Sequence, residues 1–160
     1  MKVEHVMTAP ARSCLPTDSL HTAAEIMWQA DCGCVPVTDE NQRLLGIVTD
    51  RDICMAAHNE GEPLRSRTVQ SVMSGERCTT CGPDDSLQDA ATAMGEHQVR
   101  RLPVVDGEKR LLGIVSLSDL ALAAYHAPER DSSALGAEEI AATLATICQS
   151  PASTGSAEPH

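Results

Sequence analysis

Residues 16–57 and 83–124 align without a gap at a constant offset of 67 positions, and 19 of the 42 aligned pairs are identical. Pro16/Pro83, Asp18/Asp85, Ser19/Ser86, Leu20/Leu87 and Met27/Met94 are among them, and the densest match sets Arg43–Asp52 against Arg110–Asp119. A period this long is not that of a solenoid unit, and two copies are too few for an array. The chain is therefore expected to form two small half-domains related by a pseudo-twofold axis, with sites at their junction.

Each copy reads alike. A short helical lead (Val3–Met7, Val69–Met73) precedes a brief strand near Ser13–Leu15 or Cys78–Cys81. Pro-Thr-Asp-Ser and Pro-Asp-Asp-Ser then supply a helix N-cap. The helices expected at 19–31 and 86–98 carry Leu20, Ala23, Ala24 and Met27, and Leu87, Ala90, Ala91 and Met94, at the i, i+3, i+4, i+7 spacing of one buried face. Val35–Thr38 with Leu44–Thr49, and Leu102–Val105 with Leu111–Ser116, read as hairpins, and a last helix starts near Asp50 or Leu117. The fold class is α/β (α+β), two β-α-β-β-α units packed through their sheets, because a three-stranded sheet that small needs its open face covered. The reading places repeat 1 at 1–62, repeat 2 at 63–126, an extension with a helix of about 136–149 at 127–149, and a disordered tail at 150–160.

Twelve basic against 23 acidic residues give a net charge of −11, and the chain has one Trp, one Tyr and no Phe. That balance repels phosphate backbones and anionic membranes, and base stacking has few rings to use. No nucleic acid and no membrane partner is expected. No apolar run reaches a membrane-spanning length and no signal peptide is evident, so the reading is cytoplasmic. Any anion must be held by a local basic cluster.

Gly46-Ile-Val-Thr49-x-x-Asp52 and Gly113-Ile-Val-Ser116-x-x-Asp119 each place a hydroxyl at a strand end and a carboxylate in the first helical turn. A helix N-terminus suits anions, a carboxylate there can accept from a ribose diol, and the hydroxyl can donate to phosphate or ribose oxygens. The simpler account of either motif alone is a capping box.

The doubled pattern, Val-Met-Thr/Ser, then Val/Leu-Pro-Val, then Gly-Ile-Val-Thr/Ser-x-x-Asp, resembles a tandem pair of cystathionine-β-synthase (CBS) domains, a Bateman module, over roughly residues 3–125. Glu96–Pro103 and the C-terminal helix look most like the small stand-alone bacterial CBS proteins of the hypoxic response protein type. The resemblance implies a non-catalytic sensor that binds AMP, ADP, ATP, S-adenosylmethionine or NAD in clefts between the repeats. It requires no cofactor, is commonly a homodimer joined through helices, and acts on an effector protein the sequence does not name. Carried over, Thr49 and Asp52 would bind ribose and phosphate in one cleft, with Arg51 adjacent, Val99 beside the base, and Arg100 and Arg101 on phosphate. Ser116 and Asp119 would do so in the other, opposite Thr8 and Cys32-Gly33. Since Arg100 and Arg101 align with Gly33 and Cys34, the Thr49/Asp52 cleft is expected to be the phosphate-competent one.

The rival reading uses the thiols. Cys32-Gly-Cys34 and Cys78-Thr-Thr-Cys81 have spacings that zinc or redox sites use, with His5, His21, His58, His97 and His126 available. In a strand Cys78 and Cys81 would face opposite ways, and seven cysteines in a chain this long read more simply as reduced, small hydrophobes. No catalytic constellation or phosphate loop is identifiable, so an enzyme and a protein-bound metal are both unexpected.

Overall fold

Ser19 and Ser86 start the first α-helix of each copy as the spacing predicts. Ser19 Oγ accepts the N–H of Thr22 at 3.2 Å to open α1 (Leu20–Ala30). Ser86 and Asp89 form a complete capping box for α3 (Leu87–Glu96). Leu20, Ala23 and Met27 on α1, and Leu87, Ala90, Ala91 and Met94 on α3, are buried. The computed structural model describes residues 1–75, 78–127 and 135–149, so the tail expected to be disordered lies outside the described residues.

After α1, strand β1 (Cys34–Thr38) pairs antiparallel with β2 (Leu44–Thr49), and α2 (Asp50–Glu60) follows directly. After α3 come β3 (Arg101–Val105), β4 (Leu111–Ser116) and α4 (Leu117–His126). The two hairpins share one register down to a slip at the same place, between Val37 and Thr38 and between Val104 and Val105.

Each sheet has two strands rather than the three expected. The anticipated first strand shrinks to one residue, Cys14 beside Val37 and Cys81 beside Val104. Asp18 Oδ2 takes the Leu15 N–H at 2.8 Å and Asp85 Oδ2 the Gly82 N–H at 2.7 Å. The following proline has no N–H to offer. The ladder stops there.

The leading segments cross over. Val3 donates its N–H to Asp85 O at 2.9 Å and Thr8 pairs with Ile114, while Val69 donates to Asp18 O at 2.8 Å and Ser74 pairs with Ile47. Val3 accordingly lies in the aliphatic core of the second copy, and Val69 in that of the first. Gly46 permits the close approach: a Cβ there would stand 2.0 Å from Ser74 O. The hairpin turns also meet across the pseudo-twofold, Leu44 N–H donating to Lys109 O and Leu111 N–H to Gln42 O, both at 2.9 Å.

The C-terminal helix α5 (Ala137–Cys148) breaks the symmetry. It lies on α3 and α4, and Leu135, Ile140 and Ile147 join the second core. Glu139 Oε2 accepts the Gly136 N–H at 2.8 Å at its start, and at its end Gln98 Nε2 donates to the carbonyls of Thr146 and Gln149 at 3.2 and 2.8 Å.

Candidate functional site

Both hydroxyl–carboxylate pairs form capping boxes. Asp52 Oδ2 accepts from Thr49 N–H at 2.8 Å and from Thr49 Oγ1 at 2.7 Å, and the Asp52 N–H returns a bond to Oγ1 at 3.2 Å. Ser116 and Asp119 repeat this at 2.8, 2.6 and 3.2 Å. In both boxes Oδ2 takes the local bonds, which leaves Oδ1 as the carboxylate's outward acceptor. The cap is thus compatible with a ligand role and does not compete with it.

Ser116 and Asp119 line a cleft of about 380 Å³ between the copies. Thr8 of the crossing segment, Asp31 and Cys32 at the end of α1, and Arg101 of β3 also face it. Pro36 and Ile114 give it an apolar wall, and Arg12 a second guanidinium. Thr8, Arg101 and the Ser116/Asp119 motif therefore come together from three separate parts of the sequence. Thr49, Arg51 and Asp52 stand outside this cleft. Residues 76 and 77 lie outside the described residues. Val99 is half-buried, packed on the second core.

The arginine pair, which the resemblance assigns to the Thr49/Asp52 cleft, is split. Adjacent residues leave an extended backbone on opposite sides. Arg101 is the register partner of Ser116 and so shares its face, the cleft side. Arg100 instead points to α5, with Nη2 4.0 Å from Cys148 Sγ. The guanidinium of Arg101 reaches across to the first copy, where a Cβ on Gly33 would meet Asp50 Oδ2 at 2.8 Å and Arg101 Nη2 at 3.3 Å. Gly33 leaves room for both groups. Arg12 was missed: it lies ahead of the gapless repeat alignment, in the loop between the leading segment and α1. Arg12 Nη1 donates to Gln29 Oε1 at 3.1 Å, which steadies it at the cleft edge.

The seven cysteines are free thiols: Cys14, Cys34 and Cys81 are buried, Cys32 and Cys78 half-buried, and Cys54 and Cys148 exposed. Burial pushes Cys14, Cys34 and Cys81 up to about 12 and Cys78 to about 11, with Arg101 opposing the rise at Cys34. Thiolate is the nucleophile and the metal ligand, so these groups are held in the unreactive form at neutral pH. Cys32 Sγ donates to Cys34 O at 3.2 Å. Among the described residues, no three His, Cys, Asp or Glu side chains converge to hold a metal ion. Nor is any described helix long and apolar enough to cross a membrane.

The family model of the CBS domain matches residues 3–59 and 69–126. The CBS domain-containing protein YhcV of Bacillus subtilis is 38% identical over 120 residues, covering 75% of this chain and 83% of the relative. The crystal structure of Hypoxic Response Protein I with two coordinated zinc ions matches at a TM-score of 0.70 and 30% identity, covering 80% of this chain and all of that one. The crystal structure of CBSX2 in complex with AMP matches at 0.67 and 30%, covering 78% of this chain and 96% of that one.

Proposed function

The chain belongs to the CBS-domain family, and on that premise we propose that it is a regulatory, non-catalytic module that takes an adenosine nucleotide into the Ser116/Asp119 cleft. The ribose diol bonds Asp119 Oδ1 and the Ser116 hydroxyl, the base lies against Pro36 and Ile114, and the phosphate meets Arg101 and Arg12. One observation carries this reading: a capped carboxylate and two guanidiniums from elements far apart in sequence share one cleft between the copies. In a chain of net charge −11, such a local pair of cations supplies what an anion needs. The AMP held by the similar CBSX2 supports the choice of ligand class.

Thr49, Asp52 and Arg51, with Val99, form the second and weaker site in this proposal. A ligand in the first cleft touches the leading segment, the end of α1 and the start of α4 at once. It therefore favours one relative arrangement of the copies over another, which is the requirement for signalling.

Calorimetric titration with AMP, adenosine and GMP tests the reading. AMP is expected to bind saturably, and adenosine about tenfold or more weaker for want of the charge-assisted bonds. Absence of binding by AMP, ATP and S-adenosylmethionine at millimolar concentration would overturn it.

A further inference from the structure

Cys34 and Arg101 are offset partners, and both face the Ser116/Asp119 cleft. A twofold that exchanges the copies maps this pair onto itself, so the pair stands where the two clefts meet. The strands agree: Cys34 is the register partner of Thr49, and Arg101 that of Ser116. The guanidinium also comes close to the cap of the first copy. A Cβ on Gly33 would lie 3.3 Å from Arg101 Nη2 and 2.8 Å from Asp50 Oδ2, and the Gly33 carbonyl accepts the Asp50 N–H at 3.1 Å. Asp50 is the first residue of α2, directly after Thr49. One guanidinium thus borders both caps. The thiol at the other half of the pair offers an anion no charge-assisted bond.

The surrounding charges give this arrangement a direction. Arg12 lines the Ser116 side. Arg51 follows Thr49 closely and is the offset partner of Ser118, which lines the other cleft. Each cleft then has one guanidinium of its own, and the two have Arg101 in common. Asp50 breaks the balance, because its partner in the second copy is Leu117. Its Oδ1 accepts the Arg51 N–H at 2.7 Å, while its Oδ2 and Arg101 Nη2 approach the same point beside Gly33. A phosphate that draws Arg101 toward Ser116 takes a cation from the Thr49 side and leaves the Asp50 carboxylate uncovered there. A second phosphate then meets like charge. We infer that Arg101 is one phosphate-binding group shared by two clefts, so that an anionic nucleotide at Ser116/Asp119 antagonises a second at Thr49/Asp52, whereas an uncharged nucleoside does not. This regulation rests on the nucleotide reading above, and linkage makes it reciprocal.

Calorimetric titration of the full chain with AMP and with adenosine, in the wild type and in Asp119→Ala, reads the coupling. The affinity compared is that of the Thr49/Asp52 cleft. It is the second step in the wild type, with the first cleft filled, and the single step in Asp119→Ala, with the first cleft disabled. AMP is expected to bind there about tenfold tighter in Asp119→Ala than in the second wild-type step. A wild type that takes one AMP but two adenosines is the same result at its limit. Adenosine is expected to bind equally in both proteins, which also shows that the variant is folded. On an Arg101→Gln background the two AMP affinities are expected to become equal. Equal AMP affinities with Arg101 present would overturn the shared role and leave nucleotide binding standing. So would a difference that adenosine or the Arg101→Gln background reproduces. Absence of AMP binding by the wild type would overturn both.

Discussion

At the scale of single residues, the two strand glycines carry the crossing of the leading segments. A Cβ at Gly46 would meet the backbone oxygen of Ser74 at 2.0 Å, whereas at Gly113 it would meet Met7 Sδ and Thr8 O at 2.8 Å. Both glycines face a backbone carbonyl, and the approach at Gly46 is the closer by 0.8 Å. Gly46→Ala is therefore expected to cost about 2–3 kcal/mol and Gly113→Ala less, read from urea denaturation; the reverse order would contradict the packing described. The buried thiols make a second residue-level prediction. Cys14, Cys34 and Cys81 ionise near 12 in the fold and near the ordinary 9 once unfolded. A raised value keeps its stabilising effect below pH 9 and loses it as pH climbs toward 12. Stability is expected to fall across that window, and alkylation at pH 8 to reach the exposed Cys54 and Cys148 while sparing the buried three. Labelling of Cys14 or Cys81 at a rate near that of Cys54 would contradict this. The hydroxyl–carboxylate pairs were legible because capping geometry is local. The direction of Arg101 was not, because it depends on which strand residue stands opposite.

Among the elements, the helices and hairpins follow the sequence closely, since alternation, N-caps and apolar stripes act within a few residues. The missing third strand is the exception. Strand propensity around Ser13–Leu15 says nothing of the Asp18 carboxylate that takes the Leu15 N–H and turns the chain. The C-terminal helix was visible as an apolar stripe, but its partner was not: α1/α2 and α3/α4 present similar apolar faces, which differ at Gly95 against Trp28 and at Gln98 and Leu117 against Asp31 and Asp50. Leu135, buried at the head of α5, belongs to the second core. Leu135→Ala is expected to cost about 2–4 kcal/mol. Hydrogen exchange should then rise in α3 and α4 and leave α1 and α2 unchanged. Equal loss in both copies would show that α5 supports the whole molecule and not one half.

Over the whole molecule, the repeat announced two halves and a junction, yet it could not say which leading segment serves which half. An offset of 67 is satisfied equally by segments that stay or cross, and the crossing emerges only from long-range pairs such as Val3 with Asp85 and Val69 with Asp18. That exchange makes Thr8 part of the cleft beside Ser116, and it ties movement of one half to the other. The same offset comparison, applied to arginines, marked the asymmetry, and the fold sets Arg101 both near Asp50 and on the Ser116/Asp119 cleft. The central claim is that ligand enters between the copies at Ser116 and Asp119. Calorimetric titration of AMP into Asp119→Ala and Asp52→Ala tests it most directly, because both substitutions remove the same capping box and so carry matched costs in stability. The account predicts that Asp119→Ala loses AMP binding by about tenfold or more while Asp52→Ala keeps most of it. Loss of binding in Asp52→Ala with Asp119→Ala intact would contradict it.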